Sequence, residues 1–205
     1  MNQNIIITIG RQFGSGGHET GKKLAGLLEF EYYDSKLITL AAKEIGFAPE
    51  NLETFDEKPK SNSAFRIFEG VFGGQYQYDN YFSNDMIFKI QSDVILKLAE
   101  EKSCVFVGRC SDYILRNHPG VINIFIHSSI ADRIQRICKR MSVTEQKALE
   151  LVKQFDKRRA SFYNYYSNKR WGHCDTYDIS INLSVLGEDQ SVDFLSAFIH
   201  KRFKI

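Results

Sequence analysis

The sequence predicts an α/β fold in three layers, with a parallel sheet covered on both faces by helices. Short apolar runs alternate with segments of helical period along most of the chain. The apolar runs lack the in–out alternation of a half-exposed strand, which is typical of strands that are buried on both faces. A glycine-rich turn at residues 10–21 joins the first run directly to the first helical segment. A chain of 205 residues fits one domain, 1–205, with room for inserted segments.

The predicted elements follow one another in a regular order. Strands are expected at residues 5–9, 30–33, 104–107, 121–126 and 177–182. Helices are expected at 18–29, 35–45, 85–102, 111–117, 130–141, 144–167 and 189–203. Residues 49–84 are the least regular part, because they combine a break around Pro59 with a mixture of glycine and aromatic residues. Ser142 or Thr144 can cap the helix that begins near residue 144.

The glycine-rich turn reads Gly-Arg-Gln-Phe-Gly-Ser-Gly-Gly-His-Glu-Thr-Gly from Gly10 to Gly21. A strand–glycine–helix order directs backbone N–H groups and the positive end of the helix dipole at one point, which favours a phosphate. This is a P-loop in outline, but no Gly-Lys-Ser/Thr follows, and Gly17 stands where the lysine belongs if Gly16 is the last loop glycine. A plain glycine turn is the alternative interpretation.

Three predicted strands end in groups suited to a ligand. The first ends in the glycine loop, the second at Asp34 and the third at Gly108-Arg109. Because ligands of parallel sheets gather beyond the carboxyl ends of the strands, we expect all three to open on one crevice. Arg109 would present a bidentate fork to a phosphate or carboxylate there, or else form a surface salt bridge.

A basic segment extends from Asp132 to Arg159 and divides into two helices. It is either a solvated helix face or a hinged basic flap over a migrating phosphoryl group. Asp156 and Arg159 lie three apart and share a helix face, as a surface ion pair or as a pair that reads a nucleotide.

The composition restricts the partners. A net charge of +2 argues against a nucleic-acid binder, and the four cysteines are isolated, as in a reducing cytosol. No apolar stretch approaches the roughly 20 residues of a membrane span, and the start lacks the basic region of a signal peptide. We therefore expect a cytoplasmic protein with no membrane or nucleic-acid partner; its oligomeric state stays open.

Several of these motifs together resemble the cytidylate kinase-like family of P-loop nucleoside monophosphate kinases. They are Ile-Thr-Ile-Gly-Arg-Gln-Phe-Gly-Ser-Gly-Gly near the start, Tyr-Tyr-Asp-Ser at 32–35, Val-Gly-Arg-Cys at 107–110, Asp-Lys-Arg-Arg at 156–159 and the stretch from Tyr165 to Gly172. The resemblance spans nearly the whole chain. It implies a core, a monophosphate-binding insertion at 49–84 and a lid at about 130–160.

The resemblance also implies roles for individual residues. The phosphates of ATP would be held by Gly14, Ser15, Gly16, Gly17, His18 and Glu19, and Mg²⁺ would bridge those phosphates without an assigned protein ligand. The acceptor would be bound by Asp34, Arg109, Asp156 and Arg159. Two departures stand out: the P-loop lysine is absent, and Gly-Arg-Cys replaces the Gly-Arg-Asp of the family.

Another cation is expected to replace the missing lysine. Arg11, His18, Lys22 and the lid arginines are candidates, and we favour the lid residues Arg140, Arg158 and Arg159, because a lid arginine arrives only when both substrates are bound. The expected function is transfer of a phosphoryl group from ATP to a nucleoside monophosphate, cytidylate or another pyrimidine. A non-catalytic nucleotide sensor or regulator and a kinase of another small acceptor are the alternatives.

Overall fold

The computed structural model describes residues 4–44, 46 and 84–205. The expected insertion at 49–84 therefore lies outside the described residues, apart from Asn84, where a helix begins. The chain divides into two compact units, one formed by Met1–Ser35 with Ile95–Ile205 and the other by Lys36–Val94. The first unit contains the whole sheet and the glycine loop.

The sheet has five parallel strands in the order β2-β3-β1-β4-β5. The strands are β1 (Ile6–Arg11), β2 (Glu31–Tyr33), β3 (Cys104–Val107), β4 (Val121–His127) and β5 (Ile179–Asn182). β1 lies at the centre, where Ile7 pairs with Val105 of β3 on one side and Ile122 of β4 on the other. The predicted three-layer α/β/α fold is confirmed.

Eight α-helices are described, beside one short 3₁₀ helix at Cys174–Thr176. They are α1 (Gly17–Leu28), α2 (Ser35–Glu44), α3 (Asn84–Glu101), α4 (Ser111–Ile114), α5 (Ile130–Met141), α6 (Glu145–Ser167), α7 (Leu183–Leu186) and α8 (Glu188–Phe203). The sequence predicted most of these bounds to within two residues. It missed α7, since four residues are too few to show a helical period, and it extended α4 by three residues.

The turn between α5 and α6 is defined by two different residues. Ser142 ends α5 with φ 53, and the Thr144 hydroxyl accepts a hydrogen bond from the backbone N–H of Lys147. Of the two residues that the sequence predicted as possible caps, Thr144 is therefore the N-cap of α6.

The core is built from the centre of the sheet. Ile6, Ile7 and Ile9 of β1 are fully buried, so both faces of this strand are covered. Leu24 of α1 and Leu195 of α8 belong to the same apolar cluster. Each such side chain stabilises the fold by roughly 1.5–3 kcal/mol. This packing fixes the end of β1, and with it the position of the glycine loop.

Candidate active site

The loop from Gln12 to Gly16 joins β1 to α1 in a conformation that requires glycine. Gly14 has φ 76 and Gly16, the N-cap of α1, has φ 90. A Cβ atom at Gly14 would lie 3.0 Å from the carbonyl oxygen of Arg133. Both positions are therefore costly for any residue with a side chain.

Arginines of α5 hold the carbonyl groups of this loop. Arg133 donates its Nε to the carbonyl oxygen of Phe13 at 2.8 Å. Arg136 donates its Nη1 to the carbonyl oxygens of Gly14 at 3.2 Å and Ser15 at 3.1 Å. The Ser128 hydroxyl, which follows β4, also donates to Ser15 O at 2.9 Å.

These contacts determine where the loop amides point. In a trans peptide the C=O and the following N–H lie on opposite sides of the bond. The N–H groups of Gly14 and Gly16 therefore point away from the arginines that hold the preceding carbonyls. Among the described residues, neither amide has an acceptor, and the same is true of the His18 and Glu19 amides in the first turn of α1. Four unpaired amides at a helix N-terminus form an anion site.

Asp156 of α6 is bound to the loop. Its Oδ1 accepts the backbone N–H of Phe13 at 2.8 Å, and its Oδ2 pairs with Nη2 of Arg133. The Phe13 ring stacks on Phe155, with centroids 4.2 Å apart. Asp156 thus links α5, α6 and the loop.

The three lid arginines that the sequence nominated lie around the same aromatic pair. Arg159 donates Nη1 to the carbonyl oxygen of Arg11 at 2.8 Å, and burial together with neighbouring arginines lowers its pKa. Arg140 is exposed and lies 5.2 Å from the centroid of the Phe13 ring. Arg158 lies 5.9 Å from the Phe155 centroid. The structure brings Arg140 and Arg159 to the loop residue Phe13 and leaves Arg158 one ring further out.

On the β2 side of the loop, His18 meets Asp34. His18 Nε2 and Asp34 Oδ2 are 3.0 Å apart, and the His18 ring lies edge-on to Tyr32 at 5.9 Å. The Tyr32 hydroxyl is buried and has no hydrogen-bond partner among the described residues. Burial raises the pKa of Tyr32, so its hydroxyl keeps the proton and stays a donor.

Arg109 follows β3 in an unusual turn. Gly108, Arg109 and Cys110 have φ values of 84, 60 and 55, three consecutive residues in the left-handed region. Arg109 donates Nη2 to the hydroxyl of Ser35, the residue after Asp34. Burial raises the pKa of the Cys110 thiol, so a neutral group stands where the family's Gly-Arg-Asp has a carboxylate. The ends of β1, β2 and β3 therefore meet, as their sequence positions predicted.

Sequence reasoning missed the roles of Arg133, Arg136 and Ser128. Both arginines belong to the basic segment, and Arg136 is one of the lid arginines considered as a replacement for the lysine, but neither was expected to hold the loop. Their spacing of three residues was a signal that both point to one side of α5. The sequence could not predict their hydrogen-bond acceptors, because these are backbone carbonyl groups whose directions depend on the conformation of the loop.

The site fits a nucleoside triphosphate with its magnesium ion. The four unpaired amides and the neighbouring arginines suit a chain of phosphates. Mg²⁺ is usually held by one or two carboxylates together with substrate phosphates, and Asp34 is the carboxylate beside His18 of the loop. Within the described part of the chain, no group of three or more His, Cys, Asp or Glu could hold a metal unaided.

Comparison with known proteins agrees with this geometry. The profile of the cytidylate kinase-like family matches residues 6–185, nearly the whole chain. The chain belongs to this family. No protein of curated function matches it. Membership of the family establishes the kinase-like P-loop character of the chain.

Solved structures resemble the chain over almost its full length. An uncharacterized protein from Eubacterium ventriosum is 30% identical, with a TM-score of 0.74 and coverage of 97% of this chain and 100% of that one. A shikimate kinase from Bacteroides thetaiotaomicron is 12% identical (TM-score 0.54; coverage 98% and 99%). A shikimate kinase from Acinetobacter baumannii, in complex with shikimate, is 15% identical (TM-score 0.51; coverage 98% and 94%). The two kinases share the fold.

None of the described helices combines the length and apolarity that a membrane span needs.

Proposed function

We propose that this protein transfers the γ-phosphoryl group of ATP to a nucleoside monophosphate with a pyrimidine base, cytidylate among them. The observation that carries the proposal is a set of four amides, those of Gly14, Gly16, His18 and Glu19, that have no acceptor among the described residues. They lie beside the ends of β2 and β3, which are joined through Ser35 and Arg109. Family membership supports the reaction class. Cytoplasmic location and single-domain organisation are part of the same proposal.

The donor half of the site acts by positioning and charge. The amides of Gly14, Gly16, His18 and Glu19 would hold the phosphates of ATP, in the manner of other helix N-termini. Mg²⁺, when bound to those phosphates and to Asp34, would supply neutralisation of their negative charge. Loop residues held by Arg133 and Arg136 need little reorganisation during the reaction, which is the source of most of the rate gain.

The acceptor half is centred on Arg109. Its guanidinium would bind the phosphate of the monophosphate and place one phosphate oxygen in line with the γ-phosphorus. A bond forms from this oxygen to phosphorus, the bond to the bridging oxygen breaks, and its electron pair leaves with ADP. An anionic phosphate oxygen needs no general base to remove a proton.

A kinase of another small acceptor is the second candidate, and the Gly-Arg-Cys turn favours it. The neutral Cys110 cannot accept a hydrogen bond from a cytosine amine as a carboxylate would. Both oxygens of Asp156 are also engaged by the loop and Arg133, which favours a role in holding the loop over base reading. Arg109 would bind the carboxylate of a hydroxylated acid such as shikimate as readily as a phosphate.

A panel of acceptors tests the proposal. Wild-type protein with Mg·ATP is offered CMP, dCMP, UMP, AMP, GMP and shikimate, and ADP release is measured. We expect release with a pyrimidine monophosphate, and Arg109→Ala should raise the KM of that acceptor about 10-fold or more while the KM of ATP is nearly kept. Arg116→Ala is the matched control, since in the described part of the chain the Arg116 guanidinium contacts the carbonyl oxygen and the ring of its neighbour Tyr113.

Two other results would each support a different function. Release with shikimate alone would overturn the monophosphate and establish the second candidate. A rise in melting temperature with ATP but no turnover of any acceptor would favour the sensor.

A further inference from the structure

The side chain of Arg11 occupies the place that a P-loop lysine would need. Arg11 is the last residue of β1. A Cβ atom at Gly17 would lie 2.7 Å from Cβ and 3.2 Å from Cγ of Arg11. A lysine at position 17 would therefore collide with the stem of Arg11. The absence of a lysine at position 17 is therefore explained by the space that the Arg11 side chain takes up.

The guanidinium of Arg11 lies against a second glycine. A Cβ atom at Gly108 would overlap Nη1 of Arg11 and would lie 3.0 Å from its Cζ. The Arg11 side chain thus extends from the start of α1 to the turn after β3, where Arg109 lies. Gly17 and Gly108 together leave room for one arginine between the donor and acceptor halves of the site.

Among the described residues, Arg11 has no partner for its charge, unlike the neighbouring arginines. Arg133, Arg136, Arg159 and Arg109 all donate to protein oxygens. Within the described residues, the Arg11 guanidinium makes no hydrogen bond and no ion pair within 4.0 Å, although it is only partly exposed. Burial lowers its pKa, against the opposing influence of Tyr32, Asp34 and Glu19. A desolvated and unpaired cation costs free energy of folding.

Tyr32 provides a second, independent sign of an absent ligand. Its hydroxyl is buried and finds no hydrogen-bond partner in the described part of the chain, and Tyr32 is an electrostatic neighbour of Arg11. Buried polar groups without partners are rare in proteins. An unpaired cation and an unpaired hydroxyl beside the same loop are what an anionic ligand would satisfy.

We propose that the Arg11 guanidinium binds the β- and γ-phosphates of the donor and so replaces the P-loop lysine. The inference rests on the donor half of the proposed function and is independent of the acceptor. The other cations near the loop are less suited to this role. His18 is paired with Asp34, Lys22 is exposed on α1, and Arg140 is exposed over the Phe13 ring.

Arg11→Met tests the proposal, because methionine keeps the apolar stem and removes the charge. Binding of a non-hydrolysable Mg·ATP analogue is measured by calorimetry, and melting of the ligand-free protein is followed separately. We expect the affinity for the analogue to fall about 10- to 100-fold, the loss of a charge-assisted hydrogen bond. Affinity for AMP, which lacks the β- and γ-phosphates, should be unchanged.

The stability of the variant separates a ligand role from a structural one. Removal of an unpaired, desolvated cation should raise the melting temperature of the ligand-free protein while binding of the analogue weakens. Arg202→Met, an exposed arginine beside Phe203 on α8, is the control and should change neither quantity.

The contrary outcomes are distinct. Wild-type affinity in Arg11→Met, or a joint loss of affinity and melting temperature, would overturn the role of Arg11. A wild-type protein that binds no ATP would overturn both this inference and the donor of the proposed function. If no monophosphate is phosphorylated but Arg11→Met still loses the analogue, only the proposed acceptor is wrong.

Discussion

Asp112 shows how one buried carboxylate beside the site affects the fold. It is the second residue of α4, the helix that follows the Gly108–Cys110 turn, and is only 8% exposed. The Tyr163 hydroxyl of α6 donates to its Oδ2. Burial raises the pKa of Asp112, and the hydrogen bond from Tyr163 offsets this in part. The charged form of this residue is therefore disfavoured in the folded protein.

The pH dependence of stability follows from this shift. A carboxyl group with a raised pKa in the folded state binds more protons there than in the unfolded chain, so its contribution falls as the pH rises above about 3.9, its unfolded value. Asp112→Asn should therefore have a higher free energy of unfolding than the wild type at pH 7, and this advantage should vanish below about pH 4. Urea unfolding at both pH values measures it.

The exposed Asp193 of α8 supplies the control for that comparison. Asp193→Asn should leave the free energy of unfolding nearly unchanged at pH 7. A variant Asp112→Asn that is less stable than the wild type at pH 7 would show that Tyr163 stabilises the carboxylate more than burial penalises it.

At the scale of elements, α5 and α6 are tied to the glycine loop through one ion pair. Arg133 is 5% exposed, and its partner Asp156 also accepts the Phe13 amide. The basic segment is not simply a solvated helix face. Its residues Arg133 and Arg136 donate hydrogen bonds to the carbonyl oxygens of the loop. The lid helices therefore help to shape the phosphate site, in addition to any role over the substrates.

Removal of Asp156 should destabilise the whole protein. Asp156→Ala leaves a buried arginine without its partner and the Phe13 amide without its acceptor, which should lower the free energy of unfolding by about 3–5 kcal/mol. Chemical denaturation measures the loss. Glu150→Ala, which removes the exposed ion pair with Lys147, should cost less than about 1 kcal/mol.

A second variant checks the cause. Arg133→Met in the Asp156→Ala background should recover part of the lost stability, because no unpaired buried charge remains. If Asp156→Ala costs no more than Glu150→Ala, the pair does not hold the loop.

For the whole molecule, local patterns predicted the elements but not their contacts. The bounds of β1 and β3 were visible because both strands are buried on two faces and so are continuously apolar. The order of the strands in the sheet could not be predicted, since a run of apolar residues does not specify which strand lies next to it. Asp34 and Arg109 could be placed because they end strands. The position of the Arg11 side chain could not be predicted, because it depends on the space left by Gly108, which is distant in sequence.

The charge distribution of the molecule points to the same loop. The chain carries a formal net charge of only +2, yet Arg11, Arg133, Arg136, Arg140 and Arg159 all lie at or beside the residues from Arg11 to Ser15. Such a concentration raises the local electrostatic potential and attracts anions even on a nearly neutral protein. Most of these arginines already donate to protein atoms, which leaves few to follow the migrating phosphoryl group.

Arg140 is the lid arginine best able to follow that group. Among the described residues its guanidinium has no hydrogen-bond acceptor, whereas Arg136 is engaged by the loop carbonyls. Arg140→Ala should therefore lower kcat about 10²- to 10³-fold, or roughly 3–4 kcal/mol, with ATP binding nearly kept. Arg136→Ala should weaken ATP binding as well, because the Gly14 and Ser15 carbonyls lose their donor. Steady-state kinetics with ATP titrations distinguish the two variants. If the Arg140→Ala enzyme keeps the wild-type kcat, Arg140 does not stabilise the transition state, and Arg11 and Mg²⁺ would neutralise its charge instead.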